Sequence, residues 1–149
     1  MSTVVVVAMG PALAEARLRS GRRMALAALN YARSYAAARQ TYTMVALDRE
    51  RGAVGVRARV RDIEGNERMA AVTTPSGGTR RLPRAVQLLR IEKPMAQEQE
   101  DFVVFTPLGQ SDEAVIVLGA NSGATRTVAV EALTGRYAVS SGKPDETKE

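Results

Sequence analysis

No cysteine, histidine or tryptophan occurs in these 149 residues. Without thiols there are no disulfides, thiol nucleophiles or Cys/His metal sites, and without imidazole no mechanism can use histidine as its base. Aromatic rings are scarce, with four tyrosines and two phenylalanines, so Val, Leu, Ala and Met must fill the core. That filling suits a compact sandwich better than an aromatic-lined ligand pocket. Long apolar runs are missing as well. The run at the amino end, Val4-Val5-Val6-Val7-Ala8-Met9, is less than half of the ~20 residues that a membrane crossing requires. No basic segment precedes it and no clear small-residue cleavage site follows it, so it does not read as a signal peptide. It reads as the end of a longer apolar segment.

The length fits one globular unit plus an appendage. We expect a helix over residues 1–39, a β-rich globular domain over 40–139 and a disordered tail over 140–149. The tail is charged and has no apolar anchor. No internal repeat is visible. Charge divides the same way: Arg17, Arg19, Arg22, Arg23, Arg33 and Arg39 face a single acid, Glu15, in the first segment, so the whole net charge of +5 resides there. Such a helix can meet phospholipid headgroups, nucleic acid or an acidic partner surface. A solvated helix face is the alternative.

From Ala12 to about Arg39 the chain is rich in Ala, Leu, Met and Arg, which predicts a long helix, with Pro11 starting or kinking it. Leu18, Ala25, Leu29, Ala32 and Tyr35 or Ala36 recur at three- and four-residue steps, marking the face meant for burial. After Gln40 the rhythm shortens to two. Val54, Val56, Ala58 and Val60 alternate with Gly55, Arg57, Arg59 and Arg61, the pattern of a strand with one wet face. Strands are expected at Tyr42–Leu47, Val54–Val60, Arg68–Thr73, Ala85–Ile91, Phe102–Phe105, Ala114–Leu118, Thr125–Glu131 and Tyr137–Val139. Turns fall at Asp48–Gly52, Ile63–Asn66, Pro75–Gly78, Pro107–Asp112, Gly119–Gly123 and Thr134-Gly135. The fold class is α+β: a long N-terminal helix packed on a β-sandwich-like antiparallel domain.

Candidate chemistry is sparse. Glu98, Glu100 and Asp101, with Asp112 and Glu113, offer carboxylates for a hard cation, but their spacing matches no calcium loop and reads as acidic surface. Gly119 to Gly123 lacks the Lys-Ser/Thr and helix start of a phosphate loop. Gly77 to Arg81 offers amides and two guanidinium groups to an anion, against the default of an ordinary loop. The lysines, Lys93 before Pro94 and two in the tail, are not placed for a Ser–Lys dyad. Arg57, Arg59 and Arg61 present three guanidinium groups on one strand face, without interleaved aromatics. The reading is non-enzymatic, with no catalytic residue, metal or cofactor assigned.

The order of these pieces resembles the H-type minor pseudopilins of type II secretion and the related FimT pilins, over residues 3–139. The likeness is carried by the apolar run ending in Gly10-Pro11 and by Leu29, Ala32, Arg33 and Ala36-Ala37-Ala38-Arg39. It continues through the hairpin of Tyr42–Leu47 with Val54–Val60, then Phe105-Thr106-Pro107 with Gly109. Val128-Ala129-Val130 and Leu133-Thr134-Gly135-Arg136 close it. The resemblance implies a pilin-like fold and a single-pass inner-membrane subunit with its globular domain in the periplasm. Val4, Val5, Val6, Val7, Met9 and Pro11 would belong to the membrane and later to the filament helix.

The implied partners are other minor and major pseudopilins, the secretion machinery, a secreted protein and the inner membrane. The implied task is to initiate or cap a pseudopilus, with no catalysis. The family's leader, with Gly, Phe-Thr-Leu and a glutamate, is absent from this sequence. If Pro11 matches the proline common in pilin helices, about a dozen mature residues would precede Met1, and Met1 would lie inside the span. The alternative is a FimT-like pilin that binds DNA for uptake through a C-terminal Gly-Arg-x-Arg motif. Gly135-Arg136-Tyr137-Ala138 retains its first arginine alone, leaving Arg126 and Arg136 as candidate DNA or anion contacts.

Overall fold

Strong helix formers dominate the opening of the chain, and they wind into one helix, α1 (Ser2–Arg39), of 38 residues. The computed structural model describes residues 2–73, 78–94, 96, 100–130 and 137–141, with backbone alone for 2–11 and 137–141. Pro11 does not start the helix, which runs through it from Ser2. Proline withholds one amide, the one that would reach the Val7 carbonyl, and the helix formers beyond it continue the ladder. The helix stops at Gln40, whose φ of 50° is left-handed. There the Thr41 amide donates back to the Ala36 carbonyl at 3.1 Å, and Gln40 Nε2 donates to the Ala37 carbonyl at 2.7 Å. These bonds satisfy carbonyls that the last turn would otherwise leave open.

The strands follow as β1 (Thr43–Asp48), β2 (Ala53–Arg61), β3 (Glu67–Ala71), β4 (Arg80–Arg81), β5 (Val86–Glu92), β6 (Phe102–Phe105), β7 (Ala114–Ala120), β8 (Thr125–Val130) and β9 (Tyr137–Ser141). One sheet runs β3-β2-β1-β6, with β4 pairing the far end of β2; the other runs β5-β7-β8-β9. Every pairing is antiparallel. The architecture is one long helix laid on antiparallel sheets, with α1 touching strands of both. Leu18, Ala28, Leu29, Ala32 and Ala36 share a core with Val45, Val56, Phe105, Ile116 and Val128. Burying a leucine such as Leu18 or Leu29 contributes about 1.5–3 kcal/mol each, which makes this seam the main bond between helix and sheets.

Two details correct the sequence reading. Arg80 and Arg81 lie in a ladder opposite Val54 and Ala53, where a loop was expected. Strand β3 covers only Arg57 to Arg61 of β2, so the first residues of β2 have a free edge for β4 to pair with. Gly119 lies inside β7, and the turn begins only at Ala120, whose carbonyl accepts from the Gly123 amide at 3.0 Å. The register of β5 slips between Leu88 and Arg90, and Leu89 lies so close over Gly119 that a Cβ there would stand 2.5 Å from its Cδ1. A side chain at this position would have to displace Leu89.

The expected turns at Pro75–Gly78 and Thr134-Gly135 and the tail lie wholly or mostly outside the described residues.

Candidate assembly surface

Helix α1 has two faces of the same three- and four-residue period. Inward point Leu18, Gly21, Ala25, Leu29, Ala32 and Ala36, all buried, with Tyr35 half-buried at the margin. Small residues on this face bring the backbone close to the sheets. At Gly21 an added Cβ would meet Val86 Cγ1 at 3.0 Å. Outward point Ala16, Ser20, Arg23, Ala27, Asn30 and Ser34, all exposed, with the exposed Leu13 at the margin, where it also lines a depression with Arg84, Val86 and Ala120. Apart from Leu13, Arg23 and Asn30 these are Ala or Ser, so a neighbouring helix meets little steric resistance along the stripe.

Three contacts outside the apolar seam fix how the helix is presented. The buried Thr43 hydroxyl at the start of β1 donates to the Ala32 carbonyl at 2.7 Å. Arg126 of β8 pairs with Glu15, its side chain only 14% exposed. Gln40 Nε2 reaches the Pro107 carbonyl at 3.4 Å, in the β6–β7 loop that also passes Arg33 at Gly109. Each ties a different level of the helix to a different strand or loop. The outward stripe is therefore held in a defined orientation.

Three of the six helix arginines lie against other parts of the fold, while Arg19 and Arg23 are exposed. Arg17 lies beside Arg84 and Ala85, Arg33 lies against Gly109, and Arg39 stacks on the Tyr35 ring at 5.2 Å. Ala85 itself has a φ of 69°, a left-handed backbone that is strained for alanine. On β2, Arg59 and Arg61 pair with Glu67 at 3.7 and 3.3 Å, and Arg59 stacks on Tyr42 at 4.2 Å. Arg57 is exposed. Arg126 is engaged by Glu15, and Arg136 lies outside the described residues. The side chains of Val4, Val5, Val6, Val7, Met9 and Pro11 also lie outside them, on a stretch whose backbone is helical.

Two of the carboxylates weighed for a cation, Glu100 and Asp112, converge instead on a lysine. Lys93, 6% exposed, is paired with Glu100 and, at 3.1 Å, with Asp112, and its ammonium lies 4.7 Å from the Phe102 ring centroid. Glu98 lies outside the described residues, among which no cluster of three potential metal ligands occurs. No helix of the described residues is long and apolar enough to cross a membrane.

Sequence reading missed the Thr43 latch, the Glu15–Arg126 pair and the outward stripe. The stripe alone had a signal: once Leu18 to Ala36 are assigned inward, small residues at the same period remain on the opposite face.

The chain matches no protein-family model and no curated protein by sequence. Its fold matches solved structures. The solution structure of E. coli GspH aligns at a TM-score of 0.61 and 13% identity, covering 90% of this chain and 93% of that one. Two structures of the minor pseudopilin EpsH from the type II secretion system of Vibrio cholerae align similarly. One has a TM-score of 0.58 and 12% identity, covering 89% and 96% of the two chains; the other has 0.57 and 11%, covering 86% and 96%. The long helix, its two antiparallel sheets and these alignments together establish that the chain has the pilin-like fold of the H-type minor pseudopilins.

Proposed function

We propose that this protein is a structural subunit of a type II secretion pseudopilus, acting as a minor pseudopilin that initiates or caps the filament. The observation that carries the reading is the division of α1. One face is locked to the sheets from Leu18 to Ala36, and the other leaves Ala16, Ser20, Ala27 and Ser34 exposed. The exposed stripe from Ala16 to Ser34 would be free to meet another helix. In a filament that stripe packs against the helices of neighbouring subunits. The apolar run Val4–Met9 would lie in the inner membrane before assembly, with the sheets in the periplasm.

The role is structural and needs no catalytic residue or cofactor. Its partners would be other minor and major pseudopilins, the secretion machinery and, at the tip, a secreted protein. The test is reconstitution with the pseudopilins encoded beside it. A defined hetero-complex is expected, weakened by a bulky or charged substitution on the outward stripe such as Ala27→Glu. A protein that stays monomeric with all of them overturns the reading. Salt-sensitive DNA binding lost in Arg136→Ala would move it to the uptake alternative.

A further inference from the structure

Beside the carboxyl end of α1, two depressions of about 490 and 270 Å³ adjoin each other and share Tyr35, Arg39 and Val60. Together they form one groove between the helix and the outer strand β3. Its floor is aliphatic: Ala58, Val60, Ala70 and Val72, with Val60 36% exposed. One end is basic. Arg39, Arg59 and Arg61 line it with a single carboxylate, Glu67, so the end carries a formal surplus of two positive charges.

Arg59 and Arg61 share Glu67, and Arg39 lies over the ring of Tyr35. Stacking on tyrosine holds the Arg39 and Arg59 guanidinium planes in place, which lowers the entropy lost when they take up a carboxylate.

We propose that this groove docks an acidic peptide segment of a partner protein. An aliphatic side chain of that segment would rest on Val60 and Ala70, and a carboxylate would lie between Arg39 and Arg61. Charge complementarity selects the acid, and the exposed valine selects the aliphatic neighbour. A nucleic acid fits less well. The rings of the groove, Tyr31 and Tyr35, pack against each other with centroids 6.0 Å apart, and Arg39 covers a face of Tyr35. The aliphatic floor also has no use for phosphates. The inference rests on the groove itself and does not depend on the filament reading.

The test is titration of the intact protein at low salt with a labelled peptide alternating glutamate with leucine, followed by amide chemical shifts. Shifts are expected at Thr41, Val60, Arg61 and Ala70, with none for a glutamine-for-glutamate peptide. Arg39→Glu, at an exposed helix end, should weaken binding about tenfold. Glu67→Gln removes the internal competitor and should tighten it severalfold. Arg84→Glu, elsewhere on the surface, should leave it within about twofold. The proposal fails if the peptide shifts other amides or none. It fails equally if Arg39→Glu and Arg84→Glu behave alike, or if a short oligothymidylate binds the same groove more tightly than the peptide.

Discussion

Glu15, the sole acidic side chain of α1, forms an ion pair with Arg126 near the head of β8. The arginine side chain is 14% exposed and the carboxylate 38%, so neither is fully solvated. The helix is thereby tied to the second sheet at a level below the apolar seam. Arg126, one of the two arginines that sequence alone offered to DNA, is drawn into the fold.

Breaking that pair leaves a half-buried charge, and Arg126→Ala or Glu15→Gln should each destabilise the protein by about 1–2 kcal/mol in denaturant titration. A double-mutant cycle should return a coupling of about 1 kcal/mol. Additive effects would mean that the two side chains do not meet in solution.

Thr43 is the latch at the other end of the helix. Thr43→Val keeps the shape and removes only the hydroxyl, so it should cost about 0.5–1.5 kcal/mol. For a chain of this size that lowers the melting temperature by roughly 2–6 °C. Thr43→Ser keeps the donor and should lose less.

Among the described residues, two that are not glycine have left-handed backbones, Gln40 at φ 50° and Ala85 at φ 69°. Ala85→Gly should stabilise the protein by about 0.5–1 kcal/mol, because the strain removed exceeds the added unfolded-state entropy. Gln40→Gly should gain less, since it also loses the side-chain bond to the Ala37 carbonyl. Calorimetry on both variants decides the order.

The two faces of α1 should separate folding from assembly. Leu29→Ala opens the seam at a side chain 1% exposed and should cost about 2–5 kcal/mol. Leu13, 50% exposed, should tolerate alanine within about 0.5 kcal/mol while weakening the assembly proposed above. Loss of stability without loss of assembly in Leu13→Ala would contradict the division.

What residue order alone determined was local. Alanine-rich helical spacing marked Leu18, Ala25, Leu29 and Ala32, and the two-residue alternation around Val54 to Val60 marked a strand, because each pattern follows from backbone geometry within a few residues. The tertiary structure decided what depends on distant neighbours. It set Arg80 and Arg81 in a ladder with β2, put Gly119 inside a strand beneath Leu89 and aimed the Thr43 hydroxyl at Ala32. It also gave Lys93 to Glu100 and Asp112, and Arg126 to Glu15. A charge or hydroxyl has no periodicity to reveal its partner. Its meaning depends on which groups long-range packing brings within about 3 Å.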